Sequence, residues 1–170
     1  VRDRVPYGDP RDDQVVCGPL ISAWDAERVV EWIGEAEAGG ARRLCGGERQ
    51  GNVVSPCVLE GVPGDSKLGT LEAFGPVVQL ERYDDWDQAI SMVNASRYGL
   101  QAGVFTNEVA GLWRCYEGID VGGVIHNDAS IFRADHMPYG GIKDSGFGRE
   151  GLRYAIEDMT ELKILALWPR

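Results

Sequence analysis

No apolar run in this sequence exceeds a few residues, where a membrane-spanning helix needs roughly 20, so no membrane helix is expected. Basic charge is scarce: 17 Lys and Arg stand against 27 Asp and Glu, a net charge of −10, and no basic cluster is longer than Arg42-Arg43. Nucleic acid and anionic membrane surfaces both require a basic face, so neither is expected as a partner. Acidity of this size serves solubility and does not bear on fold. Metal-ligand spacing is missing too. Cys17, Cys45, Cys57 and Cys115 form no C-x-x-C, and His126 and His136 stand apart from every Cys, so no metal site is expected. Scattered thiols of this kind read as reduced packing residues of a cytoplasmic protein. The chain opens on Val1-Arg2-Asp3-Arg4 with no apolar stretch behind it, so no secretory leader is expected. Without an initiating Met, it is expected to be processed or to be a piece of something longer.

What is present describes a globular chain. It has 170 residues, 44% apolar and 26% charged, about one domain's worth with a core of its own and no signature of disorder. With 23 Gly and 8 Pro, its elements should be short and joined by tight turns. Residues 1–16 read as a polar lead-in. Ser22 and Asp25 resemble a capping box before Ala26, Val29, Val30, Ile33 and Ala36, which recur at helical spacing until Gly39-Gly40. Strands are expected at Ala41–Cys45, at Val53–Leu59 despite Pro56, and at Val77–Tyr83. Asp84-Asp85 caps a helix over Trp86–Ser96, and Asn107 caps another over 108–117. Strands are expected at Leu100–Phe105 and Val121–Ile125, a long irregular stretch at 126–148, a helix at Glu150–Asp158 and a final strand at Glu161–Leu167. The rhythm is that of an α/β fold with a parallel layer. The last strand is a candidate subunit-pairing edge or an internally paired strand.

Three motifs carry possible chemistry. Gly146-Phe147-Gly148-Arg149-Glu150-Gly151 fits G-x-G-x-x-G, but Ile142-Lys143-Asp144-Ser145 precedes it in place of an apolar strand and the sequence runs only 19 residues past Gly151, so the dinucleotide-loop reading is not adopted. In Glu72-Ala73-Phe74-Gly75-Pro76 a carboxylate could accept two ribose hydroxyls while the ring packs on a flat heterocycle. The plain alternative is an exposed Glu beside a core Phe. Arg133, in Ile131-Phe132-Arg133-Ala134-Asp135-His136, could fork onto a substrate carboxylate or phosphate. Its plain alternative is a loop salt bridge to Asp135 or Asp128. His126 and His136 have no neighbouring nucleophile and are assigned no role.

Together, several stretches resemble the aldehyde dehydrogenase superfamily in order and spacing. They are Gly18-Pro19-Leu20-Ile21-Ser22, Glu72-Ala73-Phe74-Gly75-Pro76-Val77-Val78, and the run from Met137-Pro138-Tyr139-Gly140-Gly141 to Arg149-Glu150-Gly151. Tyr98-Gly99-Leu100 with Gly103-Val104-Phe105-Thr106, and Met159-Thr160-Glu161-Leu162-Lys163, extend the match across residues 17–167. The resemblance implies NAD(P)-dependent oxidation of an aldehyde to a carboxylic acid. In that family a cysteine thiolate attacks the aldehyde, hydride passes to nicotinamide, and a Glu-activated water hydrolyses the thioester. It implies that Glu72 holds the nicotinamide ribose with Phe74 beside it, that Tyr139 lines the aldehyde tunnel, and that Asn127 ends the strand before the substrate loop. Arg133 would clamp the anionic group of a small aldehyde.

The departures matter as much. The family's nucleophilic Cys, general-base Glu, oxyanion-hole Asn and cofactor glycines all lie before the Gly-Pro-Leu-Ile-Ser motif, which only 17 residues precede here. No catalytic residue is therefore expected in this chain, and its four cysteines read as structural. Residues 17–158 would be the C-terminal part of the catalytic domain, and residues 159–170 an oligomerisation strand and tail. NAD or NADP would be bound by the complete enzyme rather than by this chain alone. The expected partners are a second copy or a chain carrying the missing N-terminal part, with a small aldehyde as substrate. The alternative is a non-catalytic scaffold or assembly module of the same family.

Overall fold

The computed structural model describes residues 4–169; residues 1–3 of the expected lead-in and Arg170 of the expected tail lie outside the described residues. The chain divides into two compact units, Val1–Arg82 and Tyr83–Arg170.

The first unit is built on α1, Ala23–Ala38. Its start follows from Ser22, whose hydroxyl accepts from the Asp25 N–H at 3.1 Å and donates to the Asp25 carboxylate at 2.6 Å. The Ser22 cap thus satisfies one of the helix's orphan donors, and the Asp25 carboxylate holds the capping hydroxyl in place. Gly39 ends the helix, and Gly40 turns the chain away at φ +108°. The buried stripe of α1, Ala26, Val29, Ile33 and Ala36, joins Val54, Cys57, Leu59 and Leu68 in one core. Each large aliphatic side chain removed from water there contributes about 1.5–3 kcal/mol.

Strand β1 (Arg42–Cys45) pairs antiparallel with β4 (Cys57–Glu60), and β4 pairs parallel with β5 (Val77–Leu80), Cys57 opposite Val77. Between β1 and β4, β2 (Arg49–Gln50) and β3 (Val53–Val54) form a short hairpin. The single strand expected over Val53–Leu59 is therefore two, broken at Pro56, which has no N–H to give a ladder. The turn α2 (Lys67–Thr70), capped by Ser66, leads towards β5. The lead-in before α1 is held by a bridge between Tyr7 and Cys17 and by the Val16 N–H donating to the Pro6 carbonyl at 2.9 Å.

In the second unit α3 (Trp86–Asn94) starts at Asp85, whose carboxylate accepts from the Gln88 N–H at 2.9 Å. Strand β6 (Tyr98–Gly99) pairs with β9 (Ile142–Lys143), and β7 (Gln101–Val104) runs parallel to β8 (Gly123–His126). The helix α4 (Val109–Gly118) lies between β7 and β8 in sequence. Its cap differs from the expectation: Glu108 takes the N-cap position without a side-chain bond, and the Thr106 hydroxyl, not Asn107, accepts from the Glu108 N–H at 3.0 Å. The core of this unit is small, Val104, Cys115 and Ile119, with Trp86, Ile90 and Leu112 packed against it. The last helix, α5 (Leu152–Asp158), is followed by a segment in no helix or strand.

The strand expected at residues 161–167 is therefore absent from the lone chain. Leu162, Ile164, Leu165, Leu167 and Trp168 are all exposed. A strand needs a neighbour to take its backbone donors and acceptors, and none pairs with this segment among the described residues. The expected parallel layer is seen as one parallel pair in each unit. Among the described residues no helix is long and apolar enough to cross a membrane.

Two of the cysteines are core residues. Burial pushes the Cys57 thiol from its ordinary 9.0 up to about 11, and pushes Cys115 upward as well. The folded state favours the neutral thiol, so the contribution of Cys57 to stability is complete below about pH 9 and is lost as pH rises towards 11. Urea midpoints measured across that range should fall by the equivalent of about 2 kcal/mol. A thiol reagent at neutral pH should label Cys17 and Cys45 in the native chain, and Cys57 and Cys115 only on unfolding.

Candidate functional site

In the first unit, α2 ends at Leu71 and the chain turns through Glu72-Ala73-Phe74-Gly75 into Pro76 and β5. The turn is held from both sides. Pro76 accepts from the Cys57 N–H at 2.8 Å, and the Arg28 guanidinium donates to the Ala73 carbonyl at 2.9 Å. Gly75 lies hard against α1, where a Cβ would come within 2.8 Å of Val29. Phe74 sits at φ +47°, a region that costs a side chain roughly 1–3 kcal/mol and persists only where the surroundings impose it. Phe74 is 74% exposed, so the alternative of a core Phe is overturned. Glu72 is exposed as well, and no side chain among the described residues takes its carboxylate. A carboxylate and a flat ring, two residues apart, both face solvent from a loop that is fixed.

The second unit presents the substrate loop from the end of β8. Asn127 turns the chain at φ +54°, a conformation Asn tolerates. Its N–H donates to the Val104 carbonyl, and its Oδ1 accepts from the Thr106 N–H, both at 2.9 Å. The adjacent His126 donates from Nε2 to the Thr106 carbonyl at 2.9 Å, which fixes its tautomer and gives it a bracing task. Beyond Asn127 the loop lies across β7. Gln101 donates from Nε2 to the carbonyls of Ser130 at 2.8 Å and Phe132 at 3.2 Å. Gly103 permits the approach, since a Cβ there would be 2.6 Å from the Asp128 carbonyl.

Arg133 follows directly. Its guanidinium stacks over the Tyr139 ring, 4.6 Å from the centroid, and donates to Glu150 Oε2 at 2.7 Å. The partner is Glu150 rather than the nearer Asp135 or Asp128, because Tyr139 and Glu150 form a two-bond antiparallel bridge that carries both beneath the guanidinium. Arg133, Tyr139 and Glu150 line a broad open cavity with Phe147 and Met159. The glycines of the G-x-G-x-x-G stretch provide turns here. Gly148 and Gly151 have positive φ, the Arg149 guanidinium takes the carbonyls of Gly141 and Gly148 at 2.9 and 2.7 Å, and α5 has only seven residues and no side-chain cap.

Of the residues singled out from sequence, Glu72 and Phe74 share one loop of the first unit. Arg133 and Tyr139 meet in the second, and Asn127 sets the base of the loop that carries Arg133. Two supporting residues escaped that reading, Arg28 and Gln101. A signal existed for the first: Trp24, Arg28 and Trp32 stand four apart, the spacing that places them on one helix face. Gln101 offered none.

A model described as the aldehyde dehydrogenase family matches residues 2–165. A 3-sulfolactaldehyde dehydrogenase of Priestia aryabhattai is 48% identical over 165 residues, covering 97% of this chain and 35% of that protein. Among solved structures, aldehyde dehydrogenase 21 from Physcomitrella patens in complex with the reaction product succinate aligns with a TM-score of 0.93 at 42% identity, covering 96% of this chain and 34% of the other. Glyceraldehyde-3-phosphate dehydrogenase from Methanocaldococcus jannaschii complexed with NADP aligns with a TM-score of 0.89 at 38% identity, covering 95% and 35%. The chain thus spans about a third of the length of the relatives it matches.

Proposed function

The chain belongs to the aldehyde dehydrogenase family, and we propose that it contributes the ribose-contacting loop and the substrate loop of an NAD(P)-dependent enzyme that oxidises an anionic aldehyde to the acid. The observation that carries this is the Glu72–Phe74 loop, with an outward ring on a strained backbone beside an exposed carboxylate. That donor set fits a nicotinamide nucleotide: the two carboxylate oxygens of Glu72 accept the two hydroxyls of a ribose, and the Phe74 ring covers apolar surface next to it. The cofactor, when bound, supplies the hydride acceptor. No cysteine of this chain serves as nucleophile, since Cys57 and Cys115 are buried and held neutral and Cys17 and Cys45 lie outside the family's nucleophile context. The groups that do the chemistry come from the rest of the family fold.

Arg133 supports the anionic class of substrate. The names of the three relatives describe a sulfonated aldehyde, a dicarboxylate product and a phosphorylated aldehyde. In this chain the Arg133–Glu150 pair is about half exposed on both sides, and such a pair contributes only about 0–1 kcal/mol. A substrate anion can therefore take over the guanidinium at small cost, with Tyr139 keeping the fork in place.

The test is Glu72→Gln in the enzyme completed by the N-terminal portion of the family fold. Cofactor KM should rise about 10-fold with aldehyde KM unchanged, the loss of roughly one charge-assisted hydrogen bond. An unchanged cofactor KM would count against the ribose role. Residues 161–167 are proposed as the strand that joins subunits, and removing residues 159–170 should lower the sedimenting mass of the assembly.

A further inference from the structure

We infer that Arg28 is a positioning residue for the cofactor loop, acting through the Ala73 carbonyl to present Glu72 and Phe74; the inference rests on the ribose reading of that loop. Arg28 lies on α1, 45 residues from the carbonyl it grips at 2.9 Å. Its side chain is only 14% exposed. It is sandwiched by two rings of its own helix, 4.6 Å from the Trp32 centroid and 5.7 Å from that of Trp24. Asp25 meets it at 3.4 Å, and the same carboxylate closes the N-cap with Ser22.

Each feature has a physical purpose. A long cationic side chain normally samples many rotamers, and fixing it costs up to about 2 kcal/mol of side-chain entropy. Here two indoles one helical turn away on either side and an acid at i−3 hold it before the loop arrives, so the bond to Ala73 is pre-organised. A guanidinium donating to a carbonyl in a half-buried setting makes one of the stronger hydrogen bonds available. Ala73 stands between the two functional side chains, so fixing its carbonyl fixes the peptide plane that enters Phe74. With Gly75 pressed on Val29 on the far side, Phe74 is left at φ +47°. The Arg28 bond and the Gly75 contact restrain the strained residue from either side, and the Cys57 N–H bond to the Pro76 carbonyl anchors the chain beyond it. A packing role for Arg28 would need neither the carbonyl of this loop nor the flanking carboxylate.

Two readouts test it. The first uses the 170-residue chain and a glutamate-specific protease, with products identified by mass. In Arg28→Gln, cutting at Glu72–Ala73 should accelerate about 10-fold, while cutting at Glu31 and Glu35 inside α1 stays unchanged and Glu161 serves as the exposed reference. Arg28→Lys, which keeps one donor but loses the stacked fork, should fall between. If Arg28→Gln does not fold, the Lys variant and Trp32→Leu carry the test in the same sense. Unchanged cutting at Glu72–Ala73, or a parallel rise at Glu31 and Glu35, would overturn the inference. The second uses the completed enzyme. Arg28→Gln should raise cofactor KM about 10-fold, leave aldehyde KM alone and add clearly less than its full effect on top of Glu72→Gln, since the two share the Glu72 contact and only the Phe74 contribution remains. Full additivity would overturn the coupling. If Glu72→Gln itself leaves cofactor KM unchanged, the ribose reading fails, and the protease ratio still decides whether Arg28 holds the loop.

Discussion

Arg133→Ala in the completed enzyme is expected to raise KM for carboxylated or sulfonated aldehydes about 10- to 100-fold, while neutral aldehydes of the same length shift less than about 2-fold. The size follows from losing one charge-assisted, forked contact. The selectivity follows from geometry. Arg133 is not part of a core, and among the described residues its guanidinium rests on Tyr139 and pairs with an exposed Glu150, so removing it should leave the fold intact. Arg133→Lys should recover only part of the affinity, because an ammonium cannot fork or stack. Equal effects on charged and neutral aldehydes would mean that Arg133 shapes the loop and does not read the anion.

Gly122→Ala should destabilise the second unit by about 3 kcal/mol or more. A Cβ at Gly122 would lie 1.7 Å from the Gly140 carbonyl oxygen. The backbone has little room to yield, because the Gly122 N–H is already bonded to the Gly99 carbonyl at 3.0 Å and Gly99 is paired with Ile142. The clash falls where the chain leaves the substrate loop for β9, so the same change should shift Tyr139 and Arg133. Gly34→Ala makes the opposite control. Gly34 lies on the exposed side of α1 with nothing within 4 Å, and removing a helical glycine there should stabilise by about 0.5–1 kcal/mol. Urea unfolding of both variants by circular dichroism checks the pair of signs. A Gly122→Ala chain as stable as the parent would contradict the close approach of the two glycines.

Local chemistry made much of this fold legible. Helix α1 was readable because its cap, its apolar spacing and its glycine stop are each local signals along one continuous segment, and Asp85 announced α3 in the same way. The boundary errors share a cause. At Pro56 a backbone without a donor outweighed the β-branched run around it, and at α4 a threonine hydroxyl reached the orphan N–H before Asn107. Residues 161–167 read as an apolar strand, but strand is a property of two segments, and no described residue pairs with these. The site divides along the same line. Glu72, Phe74, Asn127, Arg133 and Tyr139 could be named from motif and resemblance. Their supports could not, because Arg28 and Gln101 act on carbonyls 45 and about 30 residues away, and any residue has a carbonyl to offer. The strain at Phe74 was invisible for the same reason.

The most direct test of the whole account is reconstitution. The 170-residue chain is mixed with the N-terminal portion of the family fold carrying the nucleophilic cysteine, and cofactor reduction is followed by absorbance with an anionic aldehyde as substrate. The account predicts no turnover from either part alone and turnover from the mixture, abolished when the cysteine of the N-terminal portion is replaced by Ala. A stable complex of the two that binds no nicotinamide nucleotide and turns over no aldehyde would contradict it, and would leave the chain an assembly module of its family.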